Sequence, residues 1–94
     1  VVSSDIIYIE ISGRSTLVVT CNGEYISDCK IDFWQKKLIA SFFYRTHKSY
    51  IINIKYITSY QRDSITLCQK YQIPIAYRRQ AQFRSFFFNY LEGR

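Results

Sequence analysis

Ninety-four residues, 48% of them hydrophobic and 21% charged, suit a single domain, residues 1–94, with one packed core. That balance excludes intrinsic disorder, and no apolar run approaches the ~18–20 residues needed to span a bilayer. Thirteen Lys and Arg against seven Asp and Glu leave a net charge of +6, split unevenly: residues 1–32 carry −3 and residues 33–91 carry +9. Charge this one-sided selects a polyanionic partner, with nucleic acid first and an anionic membrane second.

The chain opens Val1-Val2-Ser3-Ser4 with neither a Met nor a signal-peptide pattern, so a domain excised from a longer protein is expected. Cys21, Cys29 and Cys68 are odd in number and form no CxxC, and a lone His47 cannot complete a zinc site of known spacing. They read as reduced cysteines of a cytoplasmic protein, behaving as small apolar residues. Neither a metal nor a cofactor is expected.

Asp5–Ile11 is rich in β-branched and aromatic residues and reads as a strand, ended by Ser12-Gly13-Arg14-Ser15. Thr16–Cys21 follows as a second strand. Asn22-Gly23 then suits the two positive-φ positions of a type I′ turn, which pairs Glu24–Ser27 back on it. Ile31, Trp34 and Leu38, widened by Phe33 and Ile39, have helical spacing, with Ser27 or Asp28 as the cap. Strands resume at Phe42–Arg45, Tyr50–Asn53, Tyr56–Tyr60, Ser64–Cys68 and Gln72–Ala76, and Pro74 confines the last to a sheet edge. Beyond about Tyr77, Phe83, Phe86, Phe87, Tyr90 and Leu91 form one apolar helix face. The expected fold is mainly antiparallel β, with one short internal helix and a C-terminal helix.

Catalytic patterns are missing. One histidine excludes two-histidine schemes, and the sequence holds no phosphate-binding glycine loop and no paired-carboxylate motif. The basic residues instead concentrate at predicted loops and element ends: Arg14, the group Arg45, His47 and Lys48, then Lys55, Arg62 and Arg78-Arg79. Guanidinium and ammonium groups at loop tips reach phosphates, and Arg can also read guanine edges. Most of the 17 aromatic residues lie on apolar phases and read as core, among them Phe33, Trp34, Phe42, Phe43 and Phe83. Tyr44 and Tyr77, beside basic loops, remain open as stacking surfaces.

Phe43-Tyr44-Arg45-Thr46-His47-Lys48-Ser49-Tyr50-Ile51-Ile52-Asn53 resembles the signature of the LytTR family of DNA-binding domains. That pattern runs approximately F-x-R-x-H-[KR]-S-[YF]-[LIV]-[VI]-N, and every specified position is met. Asp5–Glu10 resembles the family's opening strand, Asn22–Tyr25 its first hairpin and Ile73–Arg79 its closing segment. The resemblance implies small stacked antiparallel sheets, no catalytic activity, and loops that enter successive major grooves of duplex DNA. It also implies a bacterial transcriptional regulator that binds direct repeats in promoters, with an N-terminal receiver domain outside this chain.

By position, contacts are implied for the first turn, Arg14-Ser15-Thr16, for Lys48, and for Arg78. Arg45 and Arg79 accompany them at the strand ends, while His47 and Ser49 shape the middle loop or touch phosphate. Family members often carry Ser where this chain has Ala76, and some present histidine in the first loop, where it has Ser15 and Thr16. His47 itself is expected to hold Lys48 in place through a hydrogen bond within its loop. Two other readings are a single-stranded nucleic-acid binder of OB-like type and a small nuclease with His47 as general base.

Overall fold

The structure, a computed structural model, describes residues 3–38 and 42–93. Five antiparallel strands form the central sheet in the order β3-β2-β1-β5-β4: β1 (Ile6–Ser12), β2 (Ser15–Thr20), β3 (Gly23–Ser27), β4 (Phe43–His47) and β5 (Tyr50–Asn53). A second antiparallel sheet follows in chain order: β6 (Ile57–Tyr60), β7 (Ser64–Leu67) and β8 (Tyr71–Pro74). Between β3 and β4 lies helix α1 (Ile31–Lys37), and the chain closes on α2 (Gln80–Gly93). The mainly β architecture with one internal and one C-terminal helix is therefore as expected, and Pro74 does end an edge strand.

Strand alternation explains why the apolar runs are so dense. Ile9, Val18 and Ile51 face α1 and pack with Ile31, Leu38 and Phe43. Their strand neighbours Tyr8, Val19 and Ile52 point the other way, onto Ile65, Leu67 and Ile73 of the small sheet and Phe83 of α2. The central sheet is thus covered on both faces, and its inner strands need apolar residues at both phases. Asn53 closes β5 inside this interior: its Nδ2 donates to Ile6 O at 3.0 Å and its Oδ1 accepts from Lys55 N at 2.9 Å. Both ends of the buried amide are satisfied, as burial requires.

Four local expectations are corrected. The β2–β3 hairpin turns on Cys21-Asn22, with Thr20 opposite Gly23 rather than Asn22-Gly23 in the loop. Neither Cys21 nor Asn22 has positive φ. Cys21 N–H is bound to Asp5 O, and the Thr20 hydroxyl accepts from Asn22 N and donates to Gly23 O, which fixes this register. The left-handed pair occurs instead at Cys68 (φ 54°) and Gln69 (φ 59°), between β7 and β8. Neither expected cap holds α1: Lys30 is its N-cap, and Ser27 Oγ accepts from Cys29 N instead. Phe33 stands 47% exposed on the outer side of α1, with Lys37 over its ring, whereas Trp34 faces inward. Ile39 lies outside the described residues. All three cysteines are free, but Cys21 and Cys68 are exposed rather than packed as small apolar residues.

Candidate nucleic-acid interface

Two hairpin tips meet at one end of the central sheet. Because β1 pairs with β5, the β1–β2 turn (Gly13-Arg14) and the β4–β5 turn (Lys48-Ser49) emerge side by side, joined by Ile11 N–H donating to Ser49 O at 3.0 Å. Gly13 adopts φ +62°, a conformation that L side chains rarely take, and this leaves Arg14 exposed at the tip. Arg14, Ser15, Lys48 and Ser49 line a cavity of about 460 Å³ with Lys30, the residue before α1. Four cations and one carboxylate, Asp32, border it.

The middle turn is braced from two sides. His47 Nδ1 accepts from Ser49 N–H at 3.1 Å, and the ring rests edge-on against Tyr50. Burial, and then Glu10, push the Tyr50 phenol above its ordinary value, so it remains a neutral packing surface. Arg45 reaches under the turn and donates to Lys48 O at 2.5 Å, while its other nitrogen donates to Asp32 Oδ1 at 2.7 Å and Gln35 Oε1 at 2.6 Å. The Lys48 backbone is thereby held while its side chain stays exposed.

The third basic element is a 3-10 turn, Tyr77–Arg79, between β8 and α2. Ala76 N–H donates to Thr46 O at 2.8 Å and the Arg79 guanidinium donates to Arg45 O at 3.0 Å, so this segment is fastened along the outer edge of β4. Arg78, between those two anchored residues, is exposed.

The nine residues singled out from sequence therefore divide. Arg14, Lys48 and Arg78 are exposed cations on three neighbouring turns, and Ser15, Ser49 and His47 are half-buried beside them. Arg45 and Arg79 spend their guanidiniums on backbone carbonyls and, for Arg45, on Asp32; only 16% of the Arg45 side chain is exposed. Thr16 is 1% exposed, its hydroxyl donating to Cys29 O and accepting from Trp34 Nε1. It fastens α1 to β2 beneath the first turn. Sequence reasoning missed Lys30, because only the fold brings the start of α1 beside the hairpin tips.

Among the described residues no group of three His, Cys, Asp or Glu is placed to hold a metal ion, and no helix is long and apolar enough to cross a membrane. A β scaffold whose cross-bonded turns carry exposed cations has the charge layout of a nucleic-acid-binding module. The LytTr DNA-binding domain family model matches residues 1–87, and the chain belongs to that family, a non-catalytic DNA-binding domain of transcriptional regulators. No curated protein matches the sequence. Among solved structures, the fold is shared with a LytTr DNA-binding domain from Bacillus cereus, described as that of a methyl-accepting/DNA response regulator. The two are 19% identical with a TM-score of 0.81, over 88% of this chain and 81% of the other.

Proposed function

We propose that this DNA-binding domain reads a specific duplex sequence through its three turns, with Arg14, Lys48 and Arg78 entering successive stretches of major groove. The observation that carries this reading is the gathering of Arg14 and Lys48, 34 residues apart in sequence, at two braced hairpin tips around one cation-rich concavity. Ser15, Ser49 and His47 flank the tips within reach of phosphate. Arg45, Arg79 and Thr16 act as positioning residues: each spends hydrogen bonds on partners within the protein, and they hold the tips that make contact. Phosphate contacts supply affinity, and the few base-edge contacts supply specificity.

The regulator containing the domain is cytoplasmic in this reading, carries a receiver domain ahead of it, and places copies on direct repeats in promoters. In-vitro selection from random duplex DNA tests it: a recovered repeated motif is the expected result, and a pool with no enriched sequence rejects specificity. With about five phosphates neutralised, log K should fall against log salt with a slope of about −4.5. Binding that ignores salt would remove the electrostatic basis. Competition with single-stranded oligonucleotides should leave duplex binding intact.

A further inference from the structure

A second group of arginines lies on the far side of the Tyr77–Arg79 turn. Arg62, Arg78 and Arg84 line one cavity of about 480 Å³ with Tyr60, Tyr77, Gln80 and Ala81, and no acidic side chain lines it. They come from three elements that the fold locks together. Gln61 N–H donates to Ser64 O at 2.8 Å, closing the β6–β7 turn that carries Arg62. Ile75 N–H donates to Asp63 O at 2.9 Å, drawing that turn against the segment leading to Arg78. Arg84, in α2, lies over the Phe88 ring at 5.4 Å, which holds its guanidinium on this side of the helix.

Surface arginines that serve only solubility are ordinarily interspersed with acids. Here, among the described residues, the one ion pair is Arg45–Asp32, so all three guanidiniums are unneutralised, even though Asp63 is adjacent to Arg62 in sequence. Tyr77 stands 83% exposed at the rim. An aromatic face beside unpaired guanidinium groups fits a sugar-phosphate backbone: Arg62 and Arg84 meet phosphates, and the phenol ring packs on deoxyribose. The placement also fits duplex DNA in particular. Arg78, assigned above to the third contacting turn, also lines this cluster, so a duplex that reaches Arg78 meets Arg62 and Arg84 beside it.

We propose that Arg62, Arg84 and Tyr77 form a second phosphate-binding surface that extends the DNA footprint past the third turn, without reading bases. The proposal rests on the DNA-binding mode given above, and its test separates the two.

The R62Q/R84Q double variant should bind a duplex extended about one helical turn past the Arg78 end about tenfold or more weakly near physiological salt. Its log K against log salt slope should be shallower by about 1.8, two phosphate contacts' worth. The loss should be equal on a scrambled duplex of the same length and absent on a duplex trimmed at that end. R62K/R84K should retain most of the slope, because the charges remain. Both variants should melt close to the parent, since the altered side chains are exposed and the contact R84Q loses is the one between Arg84 and Phe88. Lys48→Ala is measured in parallel on the trimmed duplex. If Lys48→Ala weakens binding while R62Q/R84Q leaves the slope on the extended duplex unchanged, the second surface is refuted and the three-turn reading stands. A loss from R62Q/R84Q that is equal on trimmed and extended duplexes also refutes the extension. If Lys48→Ala has no effect, the three-turn reading itself fails.

Discussion

The two faces of the central sheet are built from different physics. Toward α2 the contacts are aromatic and aliphatic: Phe83 is fully buried and packs with Tyr44, Tyr60, Phe86 and Phe87, the Phe83 and Phe87 rings lying nearly parallel. Toward α1, apolar packing is joined by directed polar contacts, Thr16 to Trp34 and Cys29, and Arg45 to Asp32 and Gln35. Burial stabilises the fold without regard to direction, whereas hydrogen bonds fix where an atom sits. The polar contacts stand beneath the two hairpin tips, which in the proposed binding mode must be placed accurately against DNA. Stability and aim are thus assigned largely to opposite sides of one sheet.

Substitutions can break that division. Phe83→Ala should have the largest effect, costing about 3–5 kcal/mol of stability by cavity formation, read as an earlier denaturant midpoint. DNA affinity of the fraction still folded should change little. Arg45→Met comes next: losing the contacts that brace Lys48 O should cost about 1–2 kcal/mol in stability and weaken DNA binding as well. Thr16→Val, which keeps the side chain's shape, should cost about 1 kcal/mol in thermal melts by removing the two hydroxyl contacts. Asp32→Asn should have the smallest effect on stability, at most about 1 kcal/mol, since its carboxylate is largely exposed. Removing a negative charge beside Arg14, Lys30 and Lys48 should also leave DNA binding equal or tighter. Opposite binding outcomes for Arg45→Met and Asp32→Asn would show that the bracing of the turn matters more than the ion pair.

Much of this was legible in the sequence because strand and motif signals are local. The run Phe43–Asn53 carries its own explanation: His47 bonds Ser49, Arg45 bonds Lys48, and Asn53 caps the turn at Lys55, each within three residues. What sequence could not show depends on contacts between distant segments. Asp32 lies 13 residues from Arg45, and Thr16 lies 18 from Trp34, so an arginine and a threonine that look like DNA contacts are engaged inside the protein. Asn22-Gly23 has the composition of a type I′ turn, yet the bond from Cys21 to Asp5 sets the hairpin elsewhere. The left-handed Cys68-Gln69 pair has no local signature, and the β7–β8 register imposes it. Phe33 shares the period of a buried face but lies outside the narrow stripe that a seven-residue helix presents to the sheet.

In the proposed binding mode a braced, exposed Lys48 discriminates between DNA sequences rather than merely attracting them. The direct measurement is the affinity of Lys48→Ala for a selected duplex and for a scrambled duplex of equal length, at one fixed salt concentration. A base-reading lysine predicts a loss of about 1–3 kcal/mol on the selected site and a clearly smaller loss on the scrambled one. Equal losses on both would make Lys48 a phosphate contact and contradict the account.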